Sequence, residues 1–274
     1  MIYMEQSEFK RDLSVQKYLD RIGYTGSLEC NLENLSALQQ AHVMDVPYEN
    51  LDIMAGLPVS LSIPAVYDKI VNKRRGGYCF ELNGLFAWLL GELGYAPVEF
   101  YGRWLKYEEL EIPPRRHRIS EVVLNGKRYI CDVGVGLPAP QFPLLFEENL
   151  VQNQVGELYK IVSHPKMMWV VQEQVNGEWS NLYSFSTEPQ QPIDFFLPHY
   201  YCTTHPDSIF RNNTMVYRRT KHGRNTVADI SDTDTLENVT EFRVSLPDGE
   251  VGRFIPRNEA EFKWALKEYF NIVL

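Results

Sequence analysis

Apolar residues recur at helical spacing through the first hundred positions of the chain. Val15, Tyr18, Leu19 and Ile22 follow the i, i+3, i+4, i+7 pattern, and Gly23 closes the segment. Leu32, Leu35 and Leu38 keep the same rhythm after Asn31. Ser62 and Pro64 open a third helix carrying Val66, Ile70 and Val71, and Gly76-Gly77 breaks it. A fourth begins near Cys79 and carries Leu82, Leu85, Phe86, Leu89, Leu90 and Leu93 as far as Gly94. Its broad apolar stripe predicts a central, largely buried helix. After Pro97 the pattern becomes that of strands. Asn125-Gly126 and Asn176-Gly177 each sit between alternating or β-rich runs, a strong hairpin signal, and Asp248-Gly249 repeats it near the end. The Pro-rich and polar stretches at 186–193 and 197–208 read as a connection. A last helix has Asn258 as its cap, Glu261 three residues on, and Phe262, Leu266, Tyr269 and Phe270 as its apolar face. The pattern divides the chain into a helical part (1–96), a β-rich part (97–200) and a smaller mixed part (201–274).

Composition narrows the class of function. The chain has 274 residues, 44% of them hydrophobic, enough for a large core or for two or three smaller ones. A net charge of −9 disfavours a nucleic-acid partner. Local basic runs at Lys73-Arg74-Arg75, Arg115-Arg116-His117-Arg118 and Arg218-Arg219-Thr220-Lys221 read first as solvated surface, with an anion site as the alternative. The apolar runs are far too short for a membrane span. Glu5, Glu8, Lys10 and Arg11 stand where a signal peptide needs an apolar stretch. Four cysteines, Cys30, Cys79, Cys131 and Cys202, are too scattered for a disulfide framework, and none lies at CxxC spacing, so no metal site is expected. The expectation is a cytoplasmic protein with reduced thiols.

The segment from Arg74 to Asn83 carries the most chemistry. Two glycines permit a sharp turn and a close approach of the backbone. Cys79 then falls in the first turn of a helix, where free N–H groups and the helix dipole favour a thiolate. A buried structural cysteine fits this stretch equally well. A two-residue turn at Asn125-Gly126 pairs Leu124 with Lys127. Carried back along the strands, that register puts His117 opposite Gly134 and Asp132 diagonal to it on the same face, at roughly 7–8 Å. An imidazole oriented by a carboxylate is what an activated nucleophile needs. By themselves His117 and Asp132 read first as a basic rim and a strand end; the helix start at Cys79 is what tips the pair towards catalysis. The Gly-x-Gly of Gly134 and Gly136 lacks the third glycine and the helix of a dinucleotide motif. It offers backbone N–H groups to a phosphate or carbonyl oxygen, or a plain tight turn.

Arg-Gly-Gly-Tyr-Cys-Phe-Glu-Leu-Asn at 75–83 resembles the active-site segment of the arylamine N-acetyltransferases. Tyr18-Leu-Asp-Arg-Ile-Gly-Tyr24, Val46-Pro-Tyr-Glu-Asn-Leu51 and Tyr129-Ile-Cys-Asp-Val-Gly-Val-Gly136 resemble further family segments, in the family's order. The resemblance implies an α+β fold with an N-terminal helical bundle, a central antiparallel β-barrel and a C-terminal α/β lid around a cysteine-protease-like Cys-His-Asp core. It implies ping-pong transfer of an acetyl group from acetyl-CoA, as co-substrate with no permanently bound cofactor, to an arylamine, arylhydrazine or N-arylhydroxylamine. Cys79 matches the nucleophile, His117 the base and Asp132 the orienting acid. Glu49 and Arg75 match a structural ion pair beside the site, Tyr48 and Val135 the acceptor pocket, and Gly134, Gly136, Tyr201 and Ser208 the CoA site. One departure stands out: the family commonly has Phe where this chain has Val135, which implies a wider acceptor pocket without that stacking surface. On residue chemistry alone a thiol hydrolase, a transglutaminase-like enzyme and a binding module that kept the fold remain alternatives.

Overall fold

The computed structural model describes residues 13–106, 110–136, 140–231 and 238–274. Glu5, Glu8, Lys10 and Arg11, on which the reading of the N-terminus rests, lie outside the described residues.

The helices form where capping and apolar spacing place them. Ser14 caps α1 (Val15–Arg21) and Asn31 caps α2 (Leu32–Asp45), each accepting a first-turn N–H through its side chain. The two-residue strand β1 (Tyr48–Glu49) and the short α3 (Leu51–Met54) follow. Next comes α4 (Ile63–Tyr67), which continues as a π-helical turn over Asp68–Asn72. The central helix α5 (Cys79–Glu92) is buried on nearly every side, as its sequence predicts.

The β-rich part is a nearly closed, eight-stranded antiparallel barrel. Its strands are β2 (Val98–Trp104), β3 (His117–Leu124), β4 (Lys127–Cys131), β5 (Leu144–Leu145), β6 (Gln152–Gln154), β7 (Glu157–His164), β8 (Met168–Val175) and β9 (Glu178–Phe185), in the order β5-β4-β3-β2-β9-β8-β7-β6. Side-chain amides close the seam between its two edges. Gln152 bonds both backbone groups of Leu145 (2.8 and 2.9 Å), and Gln154 both of Phe142 (3.1 and 2.9 Å). These amides stand in for strand pairing and leave no raw edge there. The two Asn-Gly turns join β3 to β4 and β8 to β9 with Leu124 opposite Lys127 and Val175 opposite Glu178.

The last part holds a five-stranded antiparallel sheet in the order β1-β10-β11-β12-β13, adding β10 (Met215–Thr220), β11 (Gly223–Ser231), β12 (Asn238–Ser245) and β13 (Val251–Phe254) to β1. Asp248-Gly249 lies in a loop between Ser245 and Val251, longer than a two-residue turn. Asn258 caps the terminal helix α8 (Glu259–Phe270) by accepting the Glu261 N–H at 2.9 Å. The stretch at 197–208 is more than a connection, because α6 (Phe196–Thr204) occupies most of it and α7 (Ile209–Asn212) follows. Pro198 falls in the first turn of α6, where its missing N–H costs nothing. Phe195, Cys202 and Phe210 pack into the same apolar core as α1, α2 and α5.

Residues 46–51 sew the helical part to that sheet. Tyr48 pairs with Tyr217 and Glu49 with Val216. The Asn50 amide donates to the carbonyls of Phe210 and Asn213, both at 2.8 Å, and accepts the Met215 N–H at 2.8 Å. Leu51 joins the core beneath α8. Gly76 lies so close to this segment that an added Cβ would sit 2.1 Å from the Pro47 carbonyl oxygen.

Below the start of α5 runs a network of buried charges. Arg75 donates to Glu49 (2.8 Å) and Asp52 (2.9 Å), and Lys69 bridges Asp52 (2.8 Å) and Glu81 (3.0 Å). Glu81 also accepts the Tyr78 N–H at 3.1 Å, holding the turn that precedes Cys79. Burial pushes the Glu81 carboxyl up to about 7; Lys69 opposes the shift and Glu49 adds to it.

Two outcomes follow. Asn50→Ala leaves one buried and two partly buried backbone groups without this partner and is expected to cost about 1–3 kcal/mol, read as a lower urea midpoint. For Glu81, the folded chain holds a proton from the ordinary 4.5 up to about 7 that the unfolded chain has released. Its contribution to stability is therefore full below pH 4.5 and is lost as pH rises to 7. Glu81→Gln is expected to remove that slope, so between pH 4.5 and 7.5 the wild type loses roughly 1–3 kcal/mol more than the variant in parallel urea titrations.

Candidate active site

Cys79, His117 and Asp132 come from three elements; Cys79 and His117 line one cavity, and Asp132 lies against His117. Cys79 is the first residue of α5, His117 the first of β3, and Asp132 follows the last residue of β4. The ladder between β3 and β4 keeps its register as far as Ser120 opposite Cys131 and then ends. Asp132 has left the strand, and its Oδ2 lies 2.6 Å from His117 Nε2. The other carboxylate oxygen accepts the Asn83 amide and the Gly134 N–H, both at 2.8 Å. This carboxylate is 1% exposed, so its charge is held by donors rather than by water.

Asn83 has no role in the sequence reading beyond membership of the active-site segment. It lies one turn along α5 from Cys79, and its amide donates to Asp132 and to the Arg118 carbonyl while accepting the Val133 N–H at 2.8 Å. A polar residue on the buried face of an apolar helix is the signal that could have found it. Gly134 packs on the same turn, where an added Cβ would lie 2.5 Å from Asn83 Nδ2 and 2.8 Å from Cys79 Cα. The His117 ring is seated against Gly102 and Tyr183. Because Nε2 is held by Asp132, Nδ1 is the ring nitrogen left to exchange a proton.

Burial works against the thiolate expected at Cys79. Burial pushes the thiol well above its ordinary value, and Cys202 and Asp132 add to the shift; the Phe80 N–H and Arg116 pull the other way. Desolvation outweighs the helix terminus here. The Sγ atom lies 3.5 Å from the Arg116 carbonyl oxygen, beside the residue that precedes His117. A thiolate in this setting is tolerable only with an imidazolium as its counter-ion.

The cavity has a volume of about 660 Å³. Cys79, His117, Tyr48, Gly134, Val135 and Gly136 line it, as do Phe210 and Tyr217. Lys106, Arg116, Arg224, Arg243 and Asp229 line it too; Lys106 is paired with Glu173, Arg224 with Glu157 and Arg243 with Glu241. Glu49 and Arg75 form the expected ion pair beneath β1, at 2.8 Å. Tyr201 and Ser208 are not among the cavity-lining residues. The Tyr201 ring stacks on His205 at 4.6 Å. Ser208 is buried, and its hydroxyl donates to the Cys202 carbonyl at 2.6 Å and caps α7. From that region Ile209, Phe210, Asn213 and Thr214 reach the cavity instead. Among the described residues no group of acidic, histidine and cysteine side chains is arranged to hold a metal, and no helix is long and apolar enough to cross a membrane.

The chain matches the family model described as N-acetyltransferase over residues 31–274. It is 39% identical to the arylamine N-acetyltransferase of Mycolicibacterium smegmatis over 198 residues, 70% of this chain and 72% of that one. The pineal gland isozyme NAT-10 of Gallus gallus, another arylamine N-acetyltransferase, is 31% identical over 96% of this chain and 95% of its own. The structure of the Mycobacterium marinum arylamine N-acetyltransferase in complex with CoA matches with a TM-score of 0.82 at 32% identity, covering 94% of this chain and 93% of that one. With its likeness running nearly end to end, the chain belongs to the arylamine N-acetyltransferase family of enzymes.

Proposed function

We propose that this chain moves an acetyl group from acetyl-CoA to an arylamine, arylhydrazine or N-arylhydroxylamine in two half-reactions, through a thioester on Cys79. The observation that carries the reading is the 2.6 Å contact of His117 with the buried Asp132 at the cavity that Cys79 opens into.

In the first half-reaction His117 Nδ1 takes the Cys79 proton as the sulfur attacks the acetyl carbonyl carbon. Asp132 stabilises the imidazolium that forms. The bond from the acetyl carbon to the CoA sulfur breaks, and the imidazolium proton goes to the departing CoA. In the second, the amine nitrogen attacks the thioester, gives a proton to His117, and the proton returns to Cys79 as its sulfur leaves. Neither step needs a resident cofactor. CoA carries several negative charges, and in a chain of net charge −9 the basic side chains at this cavity favour it. The backbone of Gly134 and Gly136 lies at the same wall, whereas Tyr201 and Ser208 have no proposed part in binding. Tyr48 and Val135 face the acceptor, and Glu49 with Arg75 supports β1 without touching substrate. The acceptors include foreign aromatic amines, and the reaction needs a reduced Cys79, a condition met in the cytoplasm.

Cys79→Ser is expected to fold normally, with an unchanged thermal transition, and to lose transfer. Acetyl-CoA alone is expected to add about 42 Da to the wild-type chain, read by intact mass. Turnover with no adduct would remove the covalent step, and an adduct that decays as fast in water as with an amine would mark a thiol hydrolase. Asn83→Ala frees the Asp132 carboxylate from one of its donors. Both half-reactions are expected to slow by about ten- to a hundredfold, for a loss of roughly 1–3 kcal/mol, in single-turnover measurements.

A further inference from the structure

Val135 leaves the cavity wall beside Gly134 without an aromatic ring at that position. A ring comes instead from across the cavity. Tyr217 on β10 lies against Gly136, so close that an added Cβ there would sit 2.2 Å from its Cδ2 and 2.7 Å from its Cε2. Only glycine admits that approach. Tyr217 is opposite Tyr48 in the β1–β10 pairing, and the two rings lie 5.7 Å apart and tilted by 39°. Tyr48 is itself fixed beside the nucleophile, because β1 bridges Gly77, two residues before Cys79. Behind the wall a void of about 20 Å³ is bounded by Val43, Val46, Val133, Val135 and Tyr217. It is smaller than the ring a phenylalanine at 135 would add, so the two positions compete for one space.

We propose that Tyr217 is the residue that selects the acceptor: its ring, carried in from the five-stranded sheet and seated on Gly136, supplies the stacking face that Val135 lacks and favours a flat aromatic amine or hydrazine next to Cys79. This role rests on the acyl-enzyme reading above. An acceptor without a ring gains nothing from the wall, so hydrazine reports on the chemistry and phenylhydrazine on the chemistry plus stacking.

The test compares kcat/KM for the two acceptors in the acetyl-CoA reaction. Tyr217→Ala is expected to lower the phenylhydrazine-to-hydrazine ratio about tenfold or more. Tyr217→Phe is expected to keep the wild-type ratio, since the ring remains. Gly136→Ala, which displaces the ring while leaving Tyr217 in the chain, is expected to lower it as well, and keeps the question open to test if Tyr217→Ala does not fold. Val135→Phe added to Tyr217→Ala is expected to restore part of the ratio. An unchanged ratio in Tyr217→Ala and Gly136→Ala, or an equal loss for both acceptors, overturns the role. Intact-mass detection of the Cys79 adduct without acceptor, run on every variant, separates the two readings. No adduct in the wild type overturns the acyl-enzyme itself, whereas normal adducts with an unchanged ratio overturn only the part given to Tyr217.

Discussion

The placement of one buried carboxylate governs this site. Asp132 is 1% exposed, and an anion so far from water is tolerable only where donors surround it. Its donors come from the helix that carries Cys79, through Asn83, and from its own chain, through Gly134; its second oxygen faces His117 on the barrel. Satisfying the charge therefore fixes the distance between barrel and helix, and with it the place of the imidazole relative to the sulfur. Gly134 is part of the same constraint, because a side chain there would drive the loop away from the Cys79 turn.

A second tie brings the five-stranded sheet to this point. The segment from Val46 to Leu51 has a different task at each position: Tyr48 forms cavity wall, Glu49 holds Arg75, Asn50 bonds three backbone groups around α7, and Leu51 enters the core under α8. The sheet therefore begins on a strand that belongs in sequence to the helical part. A residue on β10, Tyr217, reaches the cavity at Cys79 through that pairing.

Local signals were readable in the chain and long-range ones were not. The hairpin register follows from a two-residue turn, so a few residues place Leu124 opposite Lys127. The central helix follows from apolar spacing alone. Hidden features depend on partners distant in sequence. Asn50 and Asn83 look like ordinary polar residues until the backbone groups they satisfy are in place. Pro198 and the polar residues around it masked α6, although proline in a first turn is no obstacle to a helix. The opposing influences on the Cys79 thiol divide in the same way. The helix terminus that favours a thiolate is a local feature, whereas the burial that disfavours it is made by Cys202, Tyr48 and the rest of the core. Likewise the resemblance pointed to Tyr201 and Ser208, while helical geometry turned their neighbours Ile209 and Phe210 towards the cavity.

The burial that raises the thiol also bears on the proposed intermediate. A thiolate loses solvation in this cavity, but an acetyl thioester is neutral and loses almost none. Acylation therefore removes an electrostatic cost that the free anion carries, and the site favours holding the acyl group once it is attached. The same effect opposes deacylation, because the sulfur must leave as an anion unless a proton arrives with it. An attacking amine supplies that proton through His117, so nucleophile and leaving-group assistance arrive together. Water can deliver a proton too, but it is the weaker nucleophile and gains nothing from the rings of Tyr48, Phe210 and Tyr217. In the proposed reaction, selection of an amine over water then lies in the wall of the cavity, and Cys79, His117 and Asp132 move one proton between sulfur, imidazole and acceptor.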